Sequence, residues 1–194
     1  MLMPEGFHYW PDLLSGEEEA ALLQAVSSLE FKPFEFKGFL GNRRIAAFGW
    51  RYDFNDSQLK RAAEIPAFLL PLRERAAETA GLAHQAIEQA MVTEYTSGAA
   101  IGWHKDRSTF DEVIGVSLMS PCTFRFRRKA GSKWDRASVI LEPRSAYLLR
   151  GPARTGWEHS IPPVEALRYS ITFRTMQGAA LRGKRSRAEH RTPR

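Results

Sequence analysis

Arg168-Tyr169-Ser170-Ile171-Thr172-Phe173-Arg174 alternates without a break: Tyr169, Ile171 and Phe173 are apolar, while Arg168, Ser170, Thr172 and Arg174 are polar. Side chains two apart on a strand share a face. The run therefore predicts a strand with one apolar side and one side carrying two guanidiniums and two hydroxyls. On a half-exposed strand the polar side simply meets water. On the inner wall of a closed sheet it is a pocket for an anion, because a guanidinium fork matches a carboxylate. Working back from this run, Ala90–Tyr95, Ile101–Asp106, Val113–Leu118, Thr123–Arg127, Ser138–Glu142 and Ala146–Arg150 also read as strands. Turn residues such as Ser97-Gly98, Ser120-Pro121, Gly131-Ser132 and Gly151-Pro152 separate them. So many short strands in so short a span predict a sandwich, jelly roll or barrel.

The first third of the chain has a different period. Ser15 followed by Glu18 is a capping box, Glu17, Glu18 and Glu19 sit where the helix dipole favours acids, and Ala21, Leu22, Ala25, Val26 and Leu29 form a helical stripe. A second helix is expected from about Ala67 to Ala80, with Pro71 in its first turn and Gly81 as its stop. Between them, Phe31–Phe54 is dense in aromatics, Gly and Arg with no helical period, and reads as strands and loops.

Composition narrows the function classes. With 194 residues, 43% hydrophobic and twelve Phe, the chain can build one ordinary core. One cysteine, Cys122, excludes an intrachain disulfide framework and a thiolate zinc site. The longest apolar candidate, Ile65–Leu72, is interrupted by two prolines and is far below the ~18 residues of a membrane helix. No basic and apolar leader is visible at the N-terminus, so a cytoplasmic, membrane-free setting is expected, and no feature calls for more than a monomer. The net charge of +6 is uneven. Residues 177–194 and 122–136 each carry net +5, whereas the first 30 residues hold six acids and no Lys or Arg. This pattern permits an anionic partner without requiring one.

The chemistry gathers around Ile101-Gly-Trp-His-Lys-Asp106. His104 and Asp106 are two apart, so on one strand they point the same way. Alone, a His-x-Asp is weak evidence and suits a surface pair as well as a metal. His159, in a Gly/Pro/Trp-rich stretch just before the final strand, adds weight. Two imidazoles and one carboxylate form the facial set that holds non-haem Fe(II) and leaves positions open for other ligands.

Taken together, Tyr95-Thr-Ser-Gly-(x)3-Gly-Trp-His104-Lys-Asp106, Val116-Ser-Leu118, His159-Ser-Ile and Arg168-Tyr-Ser-Ile-Thr-Phe-Arg174 resemble the AlkB family of Fe(II)/2-oxoglutarate dioxygenases. The resemblance runs from about Met91 to Met176. It extends more loosely to Arg43–Phe54, which is similar to the family's nucleotide-recognition lid. It implies an α+β chain: a double-stranded β-helix (jelly roll) over residues 90–176, N-terminal helices packed on one sheet, a lid at about 31–54, and a dioxygenase domain spanning 1–177. A flexible basic tail would follow at 178–194. It also implies that His104, Asp106 and His159 bind Fe(II). Tyr95, Arg168, Ser170 and Arg174 would bind the cosubstrate 2-oxoglutarate, with Arg168 and Tyr95 at its distal carboxylate and Arg174 near its chelating end. Dioxygen would be consumed, succinate formed and an alkyl C–H bond hydroxylated. Where that carbon is attached to a base nitrogen, loss of an aldehyde completes a demethylation.

Departures bear on the substrate. Ser170 and Thr93 stand where the family usually has Asn, and both keep hydrogen-bonding capacity. Ser108 stands where DNA-repair members commonly carry an acid that selects the damaged base, and the stretch after Asp106 is more similar to RNA-acting relatives. Arg43, Phe48, Trp50 and Tyr52 are candidates to stack on and steer a flipped base, alongside Ser108. An aromatic strand pair packed on the barrel explains the same aromatics. Arg125-Phe-Arg-Arg-Lys129 reads as a solvated face, with Phe124 and Phe126 turned inward, although it could track a phosphate backbone. The partner expected from the resemblance is single-stranded DNA or RNA. The alternatives are a non-catalytic nucleic-acid-binding jelly roll and a dioxygenase acting on protein side chains.

Overall fold

The protein, seen in a computed structural model, is described over residues 2–36 and 38–178. The expected basic tail lies outside the described residues beyond Gly178. In chain order the elements are β1 (Phe7–Trp10), α1 (Gly16–Val26), β2 (Lys32–Phe36), β3 (Phe39–Phe48), β4 (Trp50–Asp53), β5 (Gln58–Arg61), α2 (Leu70–Thr79), β6 (Ile87–Tyr95), β7 (Ile101–His104), β8 (Phe110–Leu118), β9 (Cys122–Ala130), β10 (Lys133–Leu141), β11 (Ala146–Leu149), α3 (Gly151–Thr155), β12 (Glu158–Ile161) and β13 (Arg168–Met176). Among the described residues, seven strands form one sheet in the order β1-β11-β8-β13-β6-β3-β2. Four more form a second sheet, β10-β9-β12-β7, and β4 pairs with β5 as a separate ribbon. All of the pairings are antiparallel. This is the expected jelly roll.

Two apolar clusters hold the layers together. Val26 of α1 and Leu72, Ala76 and Ala77 of α2 pack with Val92, Val116, Ile171 and Phe173 from the seven-stranded sheet. The second cluster lies between the sheets and joins Val113 and Leu149 to Phe124, Phe126, Leu141 and Ile161. Strand β13 thus divides as its alternation predicts, with Ile171 and Phe173 toward the helices and the polar set toward the other sheet.

The capping box at α1 is present: Ser15 N–H donates to Glu18 Oε2 at 2.8 Å and Glu18 N–H donates to Ser15 Oγ at 3.1 Å. Arg75 of α2 forks onto the same carboxylate at 2.6 and 2.9 Å, tying the two helices together. That Arg75 bond, then the Ser15 backbone donor, pulls Glu18 down to about 2. The turn between β3 and β4 demands glycine. Gly49 has φ +74°, and a Cβ there would lie 2.0 Å from the Glu88 carbonyl oxygen.

The strand expected over Ile101–Asp106 is shorter in the structure. It ends at His104, because the chain must turn toward β8 and closes that turn with Phe110 N–H donating to Arg107 O at 3.1 Å. Asp106 therefore sits in the loop beyond β7 rather than on the strand. Strands β1, β5 and β12, of four residues each, are too short to show a period.

Candidate active site

Strands β7 and β12 are neighbours with His104 opposite His159 in register, so two distant parts of the chain place their imidazoles side by side. The ring centroids are 4.3 Å apart, and Phe124 of β9 stacks on the other side of His159 at 5.2 Å. Asp106 completes the group from the following loop. The ligand atoms of His104, Asp106 and His159 lie within 4.8 Å of one another. His104 Nδ1 is 2.9 Å from the Gly102 carbonyl oxygen. That oxygen only accepts, so Nδ1 carries the proton and Nε2 keeps its lone pair for a metal.

Electrostatics keep the group in its ligating form. Burial pushes the Asp106 carboxyl upward, but Arg174, then His159, His104 and Arg154, outweigh it and hold the group below the usual carboxylate range. Arg174 Nη2 approaches Asp106 Oδ1 at 3.5 Å while its Nη1 donates to Gln89 Oε1 at 2.8 Å. Burial, reinforced by His104, Arg154 and Arg174 against the pull of Asp106, drives His159 down to about 3. Its imidazole is neutral at physiological pH.

These residues lie on a cavity of about 610 Å³ between the sheets, within the range of small-ligand sites. Arg168, Ser170, Thr172 and Arg174 all line it, together with Thr93 and Tyr95 of β6. Arg168 is 1% exposed, its Nη2 donates to Ser117 Oγ at 3.2 Å, and its Nε and Nη1 have no hydrogen-bond partner among the described residues. Its guanidinium lies 5.0 Å over the Tyr95 ring. A permanently charged group buried without a carboxylate is costly, so this corner suits an anion brought by a ligand. Two imidazoles, a carboxylate and a buried unpaired guanidinium on one cavity fit Fe(II) and a dicarboxylate such as 2-oxoglutarate together. His104, Asp106 and His159 would hold the metal, Arg168 and Tyr95 the distal carboxylate, and Arg174 and Ser170 the wall between.

Of the residues expected to meet the substrate, Arg43 and Tyr52 line the cavity; Phe48, Trp50 and Ser108 do not. Phe48 and Arg43 are five apart on β3, so a period of two puts them on opposite faces. Phe48 accordingly packs on the helix-side core. Trp50 sits at the start of β4, where its indole N–H donates to Glu88 Oε2 at 3.4 Å and Arg61 covers its ring at 3.9 Å. Ser108 is at the exposed crest of the tight turn, while its neighbour Arg107 reaches the cavity.

Several cavity residues were not foreseen. Phe34 of β2 and Phe54 just after β4 join Tyr52 in an aromatic wall, with centroids 5.4 Å apart for Phe34–Phe54 and 5.0 Å for Tyr52–Phe54. Arg43 lies 3.7 Å over Phe34, and Arg107 lies 4.7 Å over Tyr52 and 5.2 Å over Phe54. Phe54 lies just past the end of β4, and Trp50 at the same parity misses the cavity, so alternation does not mark it. Tyr147 of β11 also lines the cavity; burial, then Tyr95 and Asp106, keep its phenol protonated. Its ring fits only because Gly115 opposite has no Cβ, which would lie 2.2 Å from it. Beneath the loop carrying Asp106 and Arg107, Arg154 of α3 is 4% exposed and donates to Arg107 O and Phe110 O at 2.5 and 2.9 Å.

Comparison with known proteins agrees with this geometry. The family model of the 2OG-Fe(II) oxygenase superfamily matches residues 6–174. The alkylated DNA repair protein ALKBH8 homolog of Arabidopsis thaliana is 32% identical over 181 residues, covering 81% of this chain and 51% of its own. The tRNA (carboxymethyluridine(34)-5-O)-methyltransferase ALKBH8 of Mus musculus is 27% identical over 168 residues, 83% of this chain and 25% of its own. The chain thus spans about half of the first of these curated relatives and a quarter of the second. Among solved structures, OsALKBH1 superposes with a TM-score of 0.69 at 16% identity, covering 90% of this chain and 98% of that one. The described residues include no helix long and apolar enough to cross a membrane. The match over nearly the whole described fold, with the donor triad and buried arginine where the chemistry needs them, makes this chain a member of the AlkB family of Fe(II)- and 2-oxoglutarate-dependent oxygenases.

Proposed function

We propose that this chain oxidises an alkylated base in single-stranded nucleic acid. The observation carrying this reading is the aromatic wall on the same cavity as the metal-ligand triad. Phe34, Tyr52 and Phe54 form a flat-ring surface flanked by Arg43 and Arg107. Aromatic faces stack on any base and guanidiniums favour a polyanion. The wall suits a base turned out of its strand better than it suits an aliphatic protein side chain. The relatives named for DNA repair and tRNA modification support the same substrate class.

With Fe(II) and 2-oxoglutarate bound, dioxygen is consumed as the cosubstrate is decarboxylated to succinate and a substrate C–H bond is hydroxylated. The triad would present the metal from one side, leaving the cavity side for cosubstrate and substrate. Arg168 would neutralise and orient the distal carboxylate, and Arg174 would keep Asp106 ionised and aimed. Tyr52 and Phe54 would clamp the base, with Arg107 drawn over them, and exclude water from the reacting carbon.

Succinate formation by the protein supplied with Fe(II), 2-oxoglutarate and oxygen tests the proposal. Parallel reactions contain no substrate, methylated single-stranded DNA, bulk tRNA or a methylated histone-like protein. Stimulation by a nucleic acid, abolished in His104→Ala, is expected. Stimulation by the protein alone would transfer the activity to side chains. No succinate in any reaction, with iron loading verified, would make the chain a binding module.

A further inference from the structure

The four-stranded sheet has an outer face that the oxygenase reaction does not use. Phe124, Phe126 and His159 point inward, so Arg125 and Arg127, which alternate with them on β9, point out. On this face a ladder of cations and indoles runs away from the cavity. Trp103 of β7 is itself part of the cavity wall. Arg125 lies 5.1 Å over its ring and Arg127 4.5 Å. Arg127 then lies 4.6 Å over Trp134 of β10, whose indole is 41% exposed at the end of the β9–β10 hairpin. Arg136, opposite Arg127 in register, and Lys129, opposite Trp134, share this face and are exposed.

The charges are unbalanced. Glu158 pairs with Arg127 at 2.5 Å and Asp135 with Arg128 at 3.0 Å. Arg125, Lys129 and Arg136 have no carboxylate partner among the described residues. Arg125 is held by a side-chain bond instead, its Nε donating to Ser160 Oγ at 3.1 Å. Stacking fixes two arginines that would otherwise sweep freely, so part of the ordering cost is met before anything binds. A solvated face has no need of such an arrangement; a polyanion with π-faces along it is its complement.

We infer that this outer face is a second nucleic-acid contact, a track on which the strand flanking the target base lies as it leaves the cavity past Trp103. The unpaired cations meet phosphates, and Trp134 offers a stacking surface to a base. The inference deepens the proposed nucleic-acid function and rests on it for the identity of the strand.

The test is fluorescence anisotropy with a labelled, unmodified 16-nucleotide single-stranded RNA, and the same sequence as DNA in a second arm, across a salt series. The triple variant Arg125→Gln/Lys129→Gln/Arg136→Gln is expected to bind about 10-fold more weakly. Its plot of log K against log salt should be shallower by about 2, at ~0.7 per lost phosphate contact. Trp134→Ala, at an exposed hairpin position, should weaken binding several-fold with an unchanged slope, and it serves if the triple variant is misfolded. Melting temperature and 2-oxoglutarate affinity, compared with wild type, verify folding. Equal binding by wild type and both variants overturns the inference, as does a wild type that binds neither strand. Oxidation separates this result from the base-oxidation reading. A modified trinucleotide is too short to reach the hairpin, so the triple variant should oxidise it as wild type does. Lost 16-mer binding in a protein that oxidises no oligonucleotide would uphold the track and sink the base chemistry.

Discussion

Strand β13 and the β3–β4 stretch both wall the same cavity, yet only one of them could be read off its sequence side chain by side chain. Along β13 the alternation is unbroken from Arg168 to Arg174, and all four polar residues reach the cavity. Along β3–β4 the parity breaks at Gly49, whose positive φ turns the chain tightly against Glu88. Arg43 and Phe48 were grouped as neighbours in function although their separation of five places them on opposite faces. A period is information only while the strand that carries it continues. The same limit explains what was legible elsewhere. His159 was recognisable from the donor set it completes, not from its four-residue strand. Phe34, Tyr147 and Arg154 come from three separate elements, and nothing local announces that they converge. Asp106 meets His104 and His159 although its strand ends two residues earlier, since the loop carries it to the same place.

The legible wall should give the largest effect. Arg168→Met removes the buried guanidinium at the base of the cavity and is expected to weaken 2-oxoglutarate binding on the order of 100-fold, the usual scale for truncating a desolvated charge pair. The same change relieves an unpaired buried cation, so the melting temperature of the cosubstrate-free protein should rise. Calorimetric titration and a thermal melt check both halves. A variant that melts lower would mean that Arg168 is partnered in the free protein after all.

Arg154 tests whether a residue with no local signature matters as much as one in the motif. Arg154→Met removes a buried charged donor from the Arg107 and Phe110 carbonyls, the first of which keeps the Phe110 N–H, at about 1.5–3 kcal/mol for a hydrogen bond to a charged group. Turnover should fall about 10-fold as the loop holding Asp106 and Arg107 loosens, and Arg154→Lys should recover part of it. Unchanged turnover would show that the loop is held without this clamp. Tyr52→Ala against Trp50→Ala then sharpens the β3–β4 side directly. The first should raise the KM for an oligonucleotide several-fold, as loss of one base–aromatic stack worth about 1–3 kcal/mol would. The second should leave that KM alone and lower stability by removing the indole's hydrogen bond to Glu88 and its stack with Arg61. The opposite pattern would restore Trp50 to the substrate wall.

The smallest expected effect comes from the most legible feature of all. Ser15 and Glu18 are three residues apart, their contact is set by one turn of backbone, and Arg75 adds the one long-range partner. Ser15→Ala should cost about 1 kcal/mol, read as a lower urea midpoint at unchanged turnover. The pH dependence carries a definite sign. Glu18 is held at about 2 in the folded chain against an ordinary 4.5, so the folded state favours the ionised carboxylate. Its contribution is fully present above pH 4.5 and is lost as pH falls toward 2. The stability gap between wild type and Glu18→Gln should therefore be constant near neutrality and shrink across that acid window. A gap that persists unchanged to pH 3 would assign the capping box to hydrogen-bond geometry alone, with the Arg75 charge contributing nothing. Ease of reading thus follows how local an interaction is, while its weight in the chemistry follows what it faces, and in this fold the two run in opposite directions.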